Sequence, residues 1–287
     1  MNETAEPHAP IAPRLPLHDG GSIPQLGLGV YKVANDATAE LVAGALRLGY
    51  RHVDTAALYE NERGVGEGIR ASGLPRDEVY VTTKVWNDAH GLDATRRAFD
   101  DSMALLGLET LDLYLIHWPA PRQNRFVDAW RAMIALRDEG RVRSIGVSNF
   151  EPHHVQRLVD ETGVVPVVNQ VELHPHLPQT DLRRANAALG IVTESWSPLA
   201  RGQVLDPGSR DRALLEAIGA RHGRSAAQVA LRWHVQQGLV VIPKSTSLAR
   251  VAENAAVFDW ELSADELGEI ATLETGERTG RHPDDLD

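Results

Sequence analysis

Short β-branched or apolar runs and amphipathic helical stretches alternate eight times along this chain, and few folds admit such a pattern. Strand-like runs fall near 26–30, 51–54, 79–84, 111–117, 142–148, 166–171, 191–197 and 239–244. Helical periodicity follows each of them, over 36–48, 61–72, 92–107, 126–139, 151–162, 179–189, 209–222 with 225–237, and 247–257. A parallel strand pair needs a long crossover, which a helix supplies, so eight such units predict one closed (β/α)8 barrel of the α/β class. A doubly wound open sheet is the alternative. The chain's 287 residues suit the ~250 of a single barrel.

A β-hairpin is expected over 14–24, about Asp19-Gly20-Gly21, and Asp36 is expected to cap the first helix. The second of the two stretches after strand seven and a run from Ala264 to Leu273 are two helices beyond the repeat. Residues 1–13 read as a flexible tail, 14–287 as the barrel domain, and Gly276–Asp287 as a polar C-terminal extension.

The strand ends carry the chemistry. The run ending at Asp54 releases into a loop bearing Tyr59, the next ends at Lys84, and the next at His117. Read singly, Asp54 is a helix cap and Tyr59 a packing ring. Three successive strands delivering an ionisable group to the same end is a different matter, since barrels build their sites there.

Later strands end in Ser148-Asn149 and Asn169-Gln170, uncharged donors and acceptors suited to a carboxamide. Ser195-Trp196-Ser197-Pro198-Leu199 adds an aromatic face on which a planar ring can stack. After the eighth strand, Lys244-Ser245-Thr246 precedes a helix holding Arg250, Glu253 and Asn254. A lysine, hydroxyls, a helix N-terminus and an arginine one turn in make an anion site.

Other motifs are set aside. Gly64-Val65-Gly66-Glu67-Gly68 lies inside a helical pattern and not at a strand-to-helix turn, so it is no dinucleotide loop. Adjacent His153 and His154 are expected to point apart on their helix, and His174 and His176 lack further ligands at metal spacing. No metal is expected, and a barrel hydrolase using Asp54, His117 and His174 lacks a ligand set.

A net charge of −11 argues against nucleic acid and anionic membranes as partners. With no cysteine, thiol chemistry is excluded and a reducing cytoplasm is the expected compartment. The first ten residues lack the apolar stretch of a signal peptide, and no run has the ~18 consecutive apolar residues of a membrane helix.

Taken in order, these motifs resemble the aldo-keto reductase family over nearly the whole chain. The resemblance implies a catalytic tetrad of Asp54, Tyr59, Lys84 and His117. It assigns Ser148, Asn149 and Gln170 to the nicotinamide amide and Trp196 to stacking, with Ser197 and Leu199 beside it. Lys244, Ser245, Thr246, Arg250, Glu253 and Asn254 would hold the adenosine phosphate of NADPH, with NADH a weaker substitute.

The implied reaction reduces an aldehyde or ketone, Tyr59 serving as general acid with its phenol pKa lowered by Lys84, Asp54 holding Lys84, and His117 orienting the carbonyl. Tyr31, Trp86 and Trp118 are the expected substrate walls. The short loop after His117 and the Gly280–Asp284 ending are similar to bacterial 2,5-diketo-D-gluconate reductases, and a monomer is implied. An NADP-binding regulatory barrel with little turnover is the alternative from another class.

Overall fold

The computed structural model describes residues 11–286. Of the expected tail, residues 1–10 lie outside the described residues. Residues 11–13 are tied down, contrary to a loose stretch reaching Pro13: Ile11 N donates to Gly49 O at 3.2 Å, and Pro13 O accepts from Gln25 N at 2.9 Å. Strands β1 (Arg14–Pro16) and β2 (Ser22–Pro24) form the expected antiparallel hairpin, in register Leu15 to Ile23. Leu17 and Ile23 from this hairpin pack against Tyr80, Leu113, Val168 and Val240, closing one end of the barrel.

The repeat follows as β3 (Leu28–Gly29), α1 (Asn35–Arg47), β4 (His52–Asp54), α2 (Glu62–Ser72), β5 (Tyr80–Val85) and α3 (Leu92–Leu106). It continues with β6 (Leu111–Ile116), α4 (Phe126–Asp138), β7 (Val142–Ser148), α5 (Pro152–Thr162), β8 (Val168–Glu172) and α6 (Thr180–Ala188). It ends with β9 (Val192–Trp196), α7 (Arg210–His222), α8 (Ala226–Gln236), β10 (Val240–Val241) and α9 (Leu248–Ala255), before the extra helix α10 (Ala264–Ala271).

Strands β3 to β10 pair in parallel, each with its neighbour in sequence. The first and last meet through parallel bridges, Leu26 to Val241 and Gly29 to Lys244, so the sheet is a closed barrel. Small residues permit that closure. A Cβ on Gly27 would stand 2.7 Å from the His52 ring and 2.9 Å from Ile242, and one on Gly29 would stand 3.1 Å from the Ile242 carbonyl.

Alternation decides which side chains face the helices. Val81, Tyr114, Ile116, Ile145 and Val147 turn outward into one cluster with Val42, Phe99, Trp130, Met133 and Leu158 of the surrounding helices. Each such side chain contributes roughly 1.5–3 kcal/mol on burial. The Gly64–Gly68 stretch lies inside α2 and serves packing there: a Cβ on Gly68 would come within 2.7 Å of Ala39 O and of Val42.

Three local expectations are corrected. Strand β10 stops at Val241 instead of running to 244, because Pro243 has no N–H to extend the ladder. Asp36 is not the cap of α1: Ala34 holds the extended cap position, and Asp36 sits in the first turn, accepting from Ala37 N at 2.9 Å. His153 and His154 do not diverge; their ring centroids are 4.0 Å apart, and both Nε2 atoms lie 3.2 Å from Asp284 Oδ1. The C-terminal extension folds back over the start of α5 and draws both rings onto one carboxylate. His154 Nδ1 accepts from Glu151 N, which leaves the imidazole hydrogen of the neutral ring on Nε2 and no free lone pair there for a metal.

Among the described residues no helix is long and apolar enough to cross a membrane.

Candidate active site

The four ionisable residues named from strand ends converge. Asp54 closes β4, Tyr59 ends a single 3-10 turn over Ala57–Tyr59, Lys84 is the penultimate residue of β5, and His117 follows β6 directly. Lys84 is 0% exposed and Asp54 2%, so the pair is sealed in the barrel. Lys84 Nζ donates to Asp54 Oδ1 at 2.6 Å and to Thr55 O at 2.8 Å. The same ammonium lies 5.1 Å from the centre of the Tyr59 ring. His117 meets the Tyr59 ring edge-on, with centroids 5.6 Å apart.

Burial governs how these groups ionise. It raises the Asp54 carboxyl, opposed by Lys84 and by a hydrogen bond from Gln170. Desolvation would depress Lys84, but Asp54 and Tyr59 outweigh it and hold the ammonium charged. Desolvation and Lys84 drive His117 well below the usual imidazole range, so it is neutral at pH 7. Its Nδ1 is buried with no hydrogen-bond partner among the described residues.

Tyr59 departs from expectation. Burial pushes its phenol up to about 12, with Lys84 pulling the other way but not prevailing. The loss of water around a phenolate outweighs one ammonium that Asp54 already neutralises in part. Tyr59 is therefore fully protonated at neutral pH.

Aromatic rings wall this group. Tyr31 lies 4.9 Å from Tyr59 and Trp86 5.1 Å from His117, centroid to centroid, while Trp118 faces Trp196 at 6.5 Å. All three expected substrate walls thus border the tetrad or the aromatic expected to stack.

The polar strand ends form one network. Asn149, in the left-handed conformation at φ 62° that asparagine tolerates, donates to His117 O at 2.9 Å and to Ser148 Oγ at 3.0 Å. Its Oδ1 accepts from Trp196 Nε1 at 2.8 Å, which fixes the indole, and Ser148 Oγ donates to Gln170 O at 2.8 Å. Gln170 Nε2 reaches Asp54 Oδ2 at 2.7 Å. Ser197 and Leu199 begin the loop after β9, Ser197 with φ 51°.

Beyond β10, Lys244 and Thr246 are exposed and Ser245 is buried at the approach to α9. Arg250 is exposed in the first turn of α9, and neither it nor Lys244 has a carboxylate partner among the described residues. Two unpaired cations at a helix N-terminus, in a chain of net charge −11, suit a phosphate. Glu253 instead accepts from Ser225 Oγ at 2.5 Å, and Asn254 is buried.

Two residues escaped the reading of strand ends. Glu172, last in β8, accepts hydrogen bonds from Thr279 N at 2.6 Å and Gly280 N at 3.0 Å, pinning the C-terminal extension beside Trp196. Glu194, in the middle of β9, is fully buried and accepts from Gln170 Nε2 at 3.0 Å. A glutamate among strand residues in Val192-Thr193-Glu194-Ser195-Trp196 was the available signal. His174 and His176 serve structure, on Glu172 and Asp211 at 3.2 and 2.8 Å.

A closed parallel barrel with a protonated phenol, a buried ammonium–carboxylate pair and a neutral imidazole at its C-terminal rim has the residue set of an oxidoreductase barrel. Comparison with known proteins agrees. Residues 25–275 match the model of the Aldo/keto reductase family. The chain is 53% identical over 274 residues to an aldo-keto reductase of Mycolicibacterium smegmatis, covering 95% of this chain and 98% of that one. It is 50% identical over 268 residues to methylglyoxal reductase DkgA of Salmonella typhimurium, covering 93% and 96%. Among solved structures, a Gox0644 variant in complex with NADPH superposes with a TM-score of 0.90 at 47% identity, covering 96% of this chain and 99% of that one. The chain belongs to the aldo/keto reductase family.

Proposed function

We propose that this chain is an NADPH-dependent reductase of aldehydes and ketones, with Tyr59 as the general acid. The observation that carries the reading is the placement of Lys84, whose ammonium bonds the Asp54 carboxylate and lies 5.1 Å from the centre of the Tyr59 ring at the barrel mouth. The residues present suit the cofactor: the Ser148–Gln170 network offers polar atoms to a carboxamide, Trp196 a flat face, and Lys244 with Arg250 an unpaired positive site for a 2′-phosphate. NADPH, when bound, supplies the hydride.

The chain's own part is to bind, orient and protonate. As negative charge grows on the carbonyl oxygen, Tyr59 gives up its proton to it. Lys84 steadies the phenolate that remains, and Asp54 keeps that ammonium in place. His117, neutral and wedged against Trp86 and Tyr59, donates one N–H to the same oxygen. Tyr31, Trp86 and Trp118 exclude water from the reacting centre and favour compact or planar carbonyl compounds.

Small dicarbonyls are the substrate class we assign, on the strength of relatives named methylglyoxal reductases, with 2,5-diketo-D-gluconate as the larger candidate. The absence of cysteine supports a cytoplasmic, reducing setting, and we read the active unit as a monomer, which sedimentation would check. The deciding test is NADPH consumption with methylglyoxal, an aromatic aldehyde and 2,5-diketo-D-gluconate, run beside Tyr59→Phe. Turnover that depends on the Tyr59 hydroxyl supports the reading. Wild-type kcat in Tyr59→Phe would remove the acid assignment.

A further inference from the structure

Glu194 is a buried ionisable group to which the reaction above gives no task. It stands opposite Gln170 in the β8–β9 register, and both side chains point into the barrel. Gln170 Nε2 donates to Asp54 Oδ2 at 2.7 Å and to Glu194 Oε2 at 3.0 Å. A primary amide has two N–H donors and one carbonyl acceptor, so both hydrogens are spent on the two carboxyl groups. Turning the amide over would aim its carbonyl oxygen at the Asp54 carboxylate, which opposes the flip. Gln170 is left with Oε1 as its only free polar atom.

We infer that Glu194 is a positioning residue: together with Asp54 it clamps the Gln170 amide so that only Oε1 is offered to the amino group of the cofactor's carboxamide. The inference rests on the NADPH reading and adds to it the group that sets which way the carboxamide lies. Asp54 in consequence serves two ends, holding Lys84 through Oδ1 and Gln170 through Oδ2.

The groups facing Glu194 are His52 and Asp54 from β4 and Tyr80 and Lys84 from β5. Its Oε1 has no hydrogen-bond partner among the described residues, His52 Nε2 lying 3.8 Å off and bonded to Thr82 Oγ1 at 3.0 Å. Desolvation, and then the Asp54 charge, push the Glu194 carboxyl up to about 8. His52 is driven down to about 3, and Tyr80 and Lys84 are raised above their ordinary alkaline values, so these three titrate elsewhere. Burial raises the Asp54 carboxyl as well, so a transition near pH 8 at this end of the barrel belongs to the Glu194–Asp54 pair, and its loss in Glu194→Gln assigns it to Glu194. Oxidised nicotinamide is a cation and reduced nicotinamide is not, so ionised Glu194 favours NADP+ over NADPH.

The test is binding, not turnover. Dissociation constants for NADPH, NADP+ and adenosine 2′,5′-bisphosphate are measured by fluorescence or calorimetry on the native chain, Glu194→Leu and Glu194→Gln. In Glu194→Leu, NADPH should weaken about five- to tenfold, the scale of one well-oriented hydrogen bond, while the bisphosphate, which has no carboxamide, stays within about twofold. Glu194→Gln keeps an acceptor for Gln170 and should restore most NADPH affinity at pH 7. The preference for NADP+ over NADPH should rise through pH 8 in the native chain and stay flat in Glu194→Gln. Equal weakening of NADPH and the bisphosphate, or native NADPH affinity in Glu194→Leu, would overturn this inference alone. Failure of the native chain to bind NADPH at all would overturn the reductase reading with it.

Discussion

Lys84 Nζ sits 2.6 Å from Asp54 Oδ1 with neither side chain reaching solvent, so the barrel holds a complete ion pair where water cannot screen it. Such a pair costs much to desolvate and more to break, and it survives here because Thr55 O and Gln170 Nε2 satisfy the remaining donors and acceptors.

Breaking one side should therefore be worse than removing both. Lys84→Met is expected to lower unfolding free energy by about 3–5 kcal/mol, the usual cost of stranding a buried charge. Adding Asp54→Asn should recover a large part of that stability and none of the activity. Urea unfolding with a parallel assay would show it; strictly additive losses would mean that the pair is not coupled.

Stability should carry the mark of Glu194 on the alkaline side. A carboxyl raised from an unfolded value of 4.5 to about 8 binds its proton more tightly in the native state. Its contribution is whole below pH 4.5 and is lost as pH climbs through 8. Melting temperatures of the native chain should decline over that window more steeply than those of Glu194→Gln. Parallel slopes would place the proton elsewhere.

His52 works in the opposite sense. Burial lowers its imidazole from 6.5 to about 3, so the native state resists the proton that the unfolded chain accepts. Its stabilising effect is full above pH 6.5 and falls away as the medium is acidified toward 3. A His52→Gln protein should show a shallower acid limb in the same melting series.

Lys244 and Arg250 have no carboxylate partners among the described residues and should discriminate between cofactors. Replacing either with alanine is expected to weaken NADPH about tenfold through a lost charge-assisted contact and to leave NADH within about twofold. Titration of both cofactors on each variant decides the matter; equal weakening would take the 2′-phosphate away from this segment.

Glu172 and Gly280 fix where the C-terminal extension lies. A Cβ on Gly280 would come 2.8 Å from Trp196 Cη2 and 3.0 Å from Glu172 Oε2, so Gly280→Val should lift the extension from the indole. Faster proteolytic nicking after residue 275 and altered tryptophan emission are the expected readouts. An unchanged digestion pattern would show that the extension does not depend on this contact.

Local pattern was sufficient for much of this molecule. The period of two in the strands and of 3.6 in the helices prescribes eight β/α units. Once those close into a barrel, Asp54, Lys84 and His117 must gather at one rim, because each stands at the same end of a parallel strand. Short-range rules failed where distant parts of the chain meet. Asp36 yields the cap of α1 to Ala34, and His153 and His154 converge because the returning extension brings Asp284 to both. The net sign of the Tyr59 shift is also a through-space quantity, the balance of lost hydration against one already paired ammonium. The orientation of Gln170 belongs to the same class, since its two acceptors come from strands 116 and 24 residues away in sequence. Periodicity along the chain determines which residues share a rim; only closure of the barrel determines how much water each of them keeps, and so how it ionises and what it holds.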